Sequence, residues 1–427
     1  MSEILDRTSA PVIHTIDRFH LPQVKTVSFL NGNKLHSLCM GQQPVVRVEW
    51  MIEAGSKWDT QQGASFFTAK MLTEGTSKHS SEYIQEYIAQ VGAFIEVTPG
   101  TERIIITLYA LDKHLPSLFP LIQELLMDAS FPEHEWEKIQ RIQLQTLEVN
   151  MKKTSYLASY KFRENLYGSN NPYGRHLDKK AIEAIQVADL KSHYAKYIVE
   201  QPLEITITGG YSNHTVQLLE NTFGKNKVAA KPVYTAQLSN TFPHFQDTVE
   251  VKESVQSSLR MGRHLFSPTH TDYIDACIYN EILGGYFGSR LMQNIREDKG
   301  FTYGIHSSIV TLPTDGYFVI GTDVKREFTQ QTIEEINKEL VRLQNEPVDA
   351  DELENVRQYM LGSFVNSIQT PFAIADKFKT LYFQGLSYQH YDDFFERVKN
   401  IQSNDIQKIA STYFNPSDLS WVVAGGF

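Results

Sequence analysis

Residues 194–211 (YAKYIVEQPLEITITGGY) and 410–427 (ASTYFNPSDLSWVVAGGF) follow one plan. In each, a helix ends at an aromatic residue, passes through a proline-containing turn and enters an apolar strand that closes on Gly-Gly-aromatic. Tyr197 and Tyr413 lie 216 residues apart, and so do Gly209 and Gly425. A repeat of half the chain predicts two similarly folded domains instead of a solenoid of short units. The length of 427 residues supports this, since it exceeds what one hydrophobic core usually organises. The expected division is 1–222 for the first domain, 223–247 for a linker and 248–427 for the second. The segment FGKNKVAAKPVYTAQLSNTFPH, from Phe223 to His244, lacks periodicity and carries two prolines, as a linker would.

Both halves run through the same element types. VVRVEWMIEAG and SSLRMGRHLF alternate with period two, as strands do. Ser80-Ser81 opens a helical pattern (Tyr83, Ile84, Tyr87, Ile88, Val91) that stops at Gly92. FIEVTPGTERIIITLYA reads as a hairpin on Pro99-Gly100, followed by a long helical region from Glu133 to about Leu166. The second half offers the strands TYGIHSSIV and GYFVIGTDV, a helix from Thr329 to about Leu343, and helices from Ala350 onward. Strands grouped in hairpins with helices after them predict an α+β fold, each domain a mainly antiparallel sheet with helices on one face.

Charge and cysteine content remove several function classes. Forty basic against fifty acidic side chains give a net charge of -10, with no basic cluster interleaved with aromatics, so no nucleic-acid partner is expected. Cys39 and Cys277 sit in separate halves and cannot make a thiolate metal cage. They are expected to be buried thiols. No stretch has the apolar length of a membrane span and the N-terminus is polar, which predicts a cytoplasmic chain.

Three stretches carry a family resemblance: GASFFTAKMLTEGTSKHSSEYIQEYIAQVGAFIEV, FPEHEWEKIQRIQLQTLE and LGGYFGSRLMQNIREDKGFTYGIHSS. Together with N-P-Y-G at Asn171–Gly174 and the repeated Gly-Gly strand ends, they resemble the inverted-motif zinc peptidases: insulinase, pitrilysin and the mitochondrial processing peptidases. The resemblance runs from about Val24 to the C-terminus and implies a clamshell of two duplicated domains. It also implies a helix bearing His-x-x-Glu-His ahead of Met-Leu-x-x-Gly-Thr, two imidazoles holding zinc and the glutamate activating water.

Here Met71-Leu72-Thr73-Glu74-Gly75-Thr76 sets the register. The two histidine positions hold Phe66 and Lys70, and the general-base position holds Ala69. Anchored on Phe131-Pro132-Glu133, the third ligand position, a glutamate in the family, falls on Thr146, with Glu148 two residues away on another helix face. A phenyl ring and a methyl group have no lone pair to give, and an ammonium repels a dication. No metal or other cofactor is expected in this chain, and His134 with its acidic neighbours reads as a solvated helix start.

What the resemblance retains is an arginine and a tyrosine seven residues later, Arg296 and Tyr303, which in the family reach across the clamshell to the substrate backbone. Guanidinium is a permanent multi-donor cation and phenol can donate to a developing oxyanion. The plainer alternative pairs Arg296 with Glu297 or Asp298 and makes Tyr303 an ordinary strand aromatic. Gly284, Gly285 and Gly288 read either as a flexible loop or as a helix-to-helix turn. Arg290 is expected to contact the sheet, and His264 and His270 to be non-ligands without an acid nearby.

The leading expectation is a catalytically incomplete subunit of a two-chain zinc metallopeptidase. A homologous zinc-bearing subunit with intact His-x-x-Glu-His supplies metal and base, and this chain offers Arg296 and Tyr303 to the peptide substrate. The alternative is a non-proteolytic peptide-binding or scaffold protein of the same fold. For the isolated chain, a homodimer is the substitute assembly to expect.

Overall fold

The computed structural model describes Thr8, Ile16 and residues 19–225, 227–229, 234 and 242–427. In the first half, β1 (Lys25–Ser28), β2 (Lys34–Cys39), β3 (Val45–Ile52), β4 (Phe94–Pro99), β5 (Ile104–Leu111) and β6 (Leu203–Gly209) form a sheet in the order β1-β2-β6-β3-β5-β4. In the second half, β7 (Gln246–Glu250), β8 (Gln256–Leu265), β9 (Thr302–Thr311), β10 (Gly316–Lys325) and β11 (Ser420–Gly425) are ordered β7-β11-β8-β10-β9. Leaving β1 aside, the two orders are the same. Each sheet is antiparallel except for one parallel pair, β2 with β6 and β7 with β11. That pair is the product of the repeat, because β6 and β11 are the strands that end on the duplicated glycines. The expected α+β architecture is present, and no described strand joins the two sheets.

Local chemistry explains the elements that sequence patterning predicted. Ser80 caps the Ser81–Gln90 helix by accepting from the Tyr83 amide at 3.3 Å, and Gly92 takes the left-handed φ of 63° that ends it. On β3, Val46, Val48, Trp50 and Ile52 point into the first core with the helices Leu115–Met127 and Val187–Tyr197. On β8, Leu259, Met261 and Leu265 point into the second core.

The opposite sheet faces hold what periodicity did not reveal. The region expected to be one helix from Glu133 to Leu166 is two helices, Glu133–Asn150 and Thr154–Tyr167, broken at Met151–Lys153. The break sends the second helix away from its own half and onto the other half's sheet. There Ser258 donates to Thr154 at 2.9 Å, Arg260 to Ser159 at 3.0 Å, and Asn165 to Asp247 at 2.8 Å. Phe162 and Leu166 meet Val422, and Leu157 meets Ala424.

The second half returns the exchange with the helix Pro371–Phe383, which lies against β2 and β6 of the first sheet. Thr154, the first residue of one helix, and Thr370, the residue that caps the other, are again 216 apart. Arg47 of β3 makes a forked bond to Asp376, its Nη2 2.7 Å from Oδ1, and Lys379 donates to Glu49 at 2.6 Å. Alongside, Tyr382 donates to Glu204 at 3.1 Å, and His36 lies 2.9 Å from the same carboxylate. The two domains are clasped by reciprocal helices, with a second helical layer on sheet faces expected to be bare.

Of the expected linker at 223–247, residues 226, 230–233 and 235–241 lie outside the described residues. Phe223 closes the helix Asn213–Phe223 and Gln246 opens β7. Cys39, expected to be buried, is exposed. Among the described residues, no helix is long and apolar enough to cross a membrane.

Candidate functional site

The helix Ala64–Met71 starts where Asp59 accepts from the amides of Gly63 and Ser65, at 2.8 and 2.7 Å. Phe67 turns into the core, where its ring meets Trp136 of the Glu133–Asn150 helix edge-on at 4.9 Å. That contact fixes the two helices against each other and decides which residues are left on the other face. Phe66 and Lys70 are one turn apart on it, with the lysine ammonium 5.9 Å from the centre of the Phe66 ring. Ala69 is fully buried, Phe66 leans on the first core, and Lys70 is exposed.

Thr146 is exposed on the second helix, and its hydroxyl donates to the carbonyl of Ile142 at 2.8 Å. Glu148, the nearest acid in sequence, is paired with Lys152 at 3.2 Å. Zinc does not fit this donor set: one cation, two hydrocarbon side chains and a hydroxyl whose proton is engaged by its own helix. Among the described residues, no group of three or more His, Cys, Asp or Glu is placed to hold a metal ion.

The second candidate cluster lies on the other half. Arg296 sits in the helical turn Met292–Asp298, its guanidinium stacked 4.6 Å above the ring of Phe287, which is 67% exposed. Its ion pair is with Glu297 at 2.9 Å, the neighbour that the plainer reading named. The Arg296 side chain is partly buried and Glu297 is open to solvent, so the carboxylate can be exchanged for another acceptor. Tyr303 is a different matter. It lies near the start of β9, and at 95% exposure it packs against almost nothing, unlike an ordinary strand aromatic.

Tyr303 lines a cavity of about 240 Å³ with Arg260, His306 and Asp323. Burial lowers the Arg260 pKa, partly offset by Asp323 at 3.7 Å. Burial, aided by Arg260, also lowers that of His306, so the imidazole is neutral near pH 7. His306 pairs across the ladder with Gly321, where a Cβ would come within 3.2 Å of the ring. The glycine is what lets the imidazole lie across β10. The cavity presents a largely buried cation, a neutral imidazole and a free phenol beside β9, which among the described strands pairs with β10 alone and is a sheet edge.

Sequence reasoning named Tyr303 but not its cavity neighbours Arg260 and His306, whose only signal was alternation within strands. It also misplaced two other residues. Arg290 forks onto Glu352 of the helix Ala350–Asn366, at 2.8 Å for both bonds, and not onto the sheet. His264, expected to have no acid nearby, is hydrogen-bonded to Asp315 and stacked on Phe242. Asp315 is far along the chain and reaches His264 only through the pairing of β8 with β10.

The family described as insulinase (peptidase family M16) matches residues 40–177, and the one described as peptidase M16 inactive domain matches 184–360. An uncharacterized zinc protease, YmxG, of Bacillus subtilis is 24% identical over 81% of this chain and 85% of its own. A non-peptidase homolog, also YmxG, of Helicobacter pylori is 23% identical over 86% of each. The crystal structure of a peptidase M16 inactive domain from Pseudomonas fluorescens superposes with a TM-score of 0.83 at 23% identity, covering 95% of this chain and 98% of that one. The chain belongs to the insulinase family of peptidases, as a member in which the positions of the metal motif hold no metal ligand.

Proposed function

We propose that this chain is the non-catalytic subunit of a two-chain zinc endopeptidase. A homologous partner with an intact His-x-x-Glu-His supplies the metal and the base, and this chain supplies Arg296 and Tyr303 to the bound peptide. The observation that carries the reading is Tyr303: an aromatic side chain held almost entirely in solvent, on a sheet edge, beside a polar cavity. Exposing a phenol there brings no packing energy, so it suits a group that finds its contacts in a guest.

An extended peptide can add to the free edge of β9 through main-chain hydrogen bonds. Tyr303 then lies at its backbone, and Arg296 can leave Glu297 for a peptide carbonyl. The zinc of the partner would polarise the scissile carbonyl, and the donors of this chain would hold the peptide in register. The exposed edge alone equally suits peptide capture without cleavage, which is the scaffold alternative.

Co-purification with a homologous subunit that carries the complete motif, followed by peptidase assays of each chain alone and of the mixture, separates the two readings. The expected result is cleavage by the mixture and none by this chain. A stable pair that gains no activity from this chain would favour the scaffold. A second expectation concerns metal: elemental analysis of the purified chain should find well under one zinc per molecule, because Phe66, Ala69, Lys70 and Thr146 offer no adequate ligand set. One tightly held zinc per chain would overturn the reading.

A further inference from the structure

The Pro371–Phe383 helix has a second face. Asp376 and Lys379 point to the first sheet, while Lys377, Thr380 and Leu381 line a cavity of about 210 Å³ on the other side. Phe364, Tyr391 and Phe394 supply its aromatic walls. No Asp or Glu lines it.

Among the described residues, the ammonium of Lys377 has no ion pair and no hydrogen bond. It stands 5.5 and 6.0 Å from the ring centres of Phe364 and Tyr391. That sets it apart from several other buried or half-buried cations. Arg47 has Asp376, Lys379 has Glu49, Arg290 has Glu352, and Arg397 has Asp275 at 2.6 Å. Burial pushes the Lys377 pKa down, with nothing opposing it. The other titratable groups of the cavity bring no charge near neutral pH: burial lowers the His390 pKa and pushes the Cys277 thiol up to about 12. Tyr273 and Tyr391, also in the lining, are raised by burial and stay protonated.

We infer that this cavity is a binding site for a small monocarboxylate with an apolar body, its headgroup paired with Lys377 and its body against Phe364, Leu381, Tyr391 and Phe394. A carboxylate supplies the one thing the cavity lacks, a counter-charge in an apolar surround, where a charge-assisted hydrogen bond is stronger than in water. The volume sets the scale of the ligand. It is below the roughly 300–1,000 Å³ of sites for drug-sized molecules, so the body is a short chain or a single ring. The same helix clasps the first sheet, so an occupied cavity also stabilises the closure of the two halves by mass action.

Calorimetric titration of the whole chain with octanoate tests this, with 1-octanol as the probe of equal body and no charge. Octanoate should bind saturably at one site, and octanol at least roughly ten-fold more weakly, as expected for one charge-assisted bond. Lys377→Met keeps the stem, removes the charge and should weaken octanoate about ten-fold while leaving octanol unchanged. If that variant does not fold, Thr380→Trp, at an exposed lining position, should block octanoate with Lys377 intact. Absence of saturable binding, equal affinity for octanol, or octanoate binding that survives the change at Lys377 or at Thr380 would overturn the inference.

Discussion

Replacing Arg296 by Ala, or Tyr303 by Phe, is expected to lower turnover of the mixed two-chain complex by roughly ten- to a thousand-fold, the range for removing a preorganised donor from a developing oxyanion. The structure makes this a clean experiment, because neither residue holds the fold together. The Tyr303 hydroxyl makes no packing contact at 95% exposure, and its loss should leave stability within about 0.5 kcal/mol. Arg296 gives up a partly exposed pair with Glu297, worth about 1 kcal/mol, and its stacking on an exposed Phe287. Melting temperature and affinity for the partner should therefore stay put while turnover falls.

The complementary experiment restores ligands instead of removing donors. Phe66→His, Ala69→Glu and Lys70→His together rebuild the motif by name, yet Thr146 still leaves the metal one protein ligand short. That triple variant should stay inactive alone. Ala69 is also fully buried, so a glutamate there has to force its way out of the core. A mixed complex that cleaves equally well with both Arg296 and Tyr303 removed would eliminate the complementation model.

How far the sequence could be read depends on whether a residue's environment is local. The Ser81–Gln90 helix was legible because its cap, apolar face and terminal glycine lie within a dozen positions. The sheets were legible through alternation, since Val46, Val48 and Trp50 face a core that their own half supplies. The clasp was not legible, because it is made by exchange. Arg47 and Glu49 alternate with apolar neighbours in the pattern of a half-solvated strand, yet both are about 5% exposed under a helix from the other half. The break at Met151–Lys153 carries neither glycine nor proline, so nothing in the pattern divides one long helix into two. For the candidate site, the loss of metal ligands could be read directly from side-chain chemistry. The surroundings of Tyr303, with Arg260 and His306 brought in by strand pairing, could not.

The clasp carries the second large expectation: Arg47→Met should destabilise the protein by about 3–5 kcal/mol, the cost of breaking a buried charge pair by deleting one member. In the folded chain two cations, Arg47 and Lys379, face two carboxylates, Glu49 and Asp376. The substitution leaves Lys379 alone against both, with Glu49 in a place water barely reaches. Asp376 is half-exposed and can be partly rescued by solvent, which puts the expected loss nearer the lower figure. Denaturant unfolding followed by tryptophan fluorescence measures it, since Trp50 lies on β3 beside the clasp. Acid provides an independent check. Burial alone would raise the Asp376 pKa, but the bonds from Arg47 and Lys379 outweigh it and hold it below the ordinary carboxylate value. Glu204 is likewise lowered on balance, its burial outweighed by His36 and Lys34. A depressed carboxylate stabilises the fold fully above its unfolded value, about 4, and loses that contribution as pH falls through the folded value. The native protein should therefore lose this contribution only below about pH 4, and Arg47→Met should show a smaller loss over the same range, because Asp376 without its first partner is less depressed in the folded state. A change of less than about 1 kcal/mol at neutral pH, with an unaltered acid profile, would mean that water already replaces Arg47 between the two halves and that the exchanged helix is held by its apolar contacts alone.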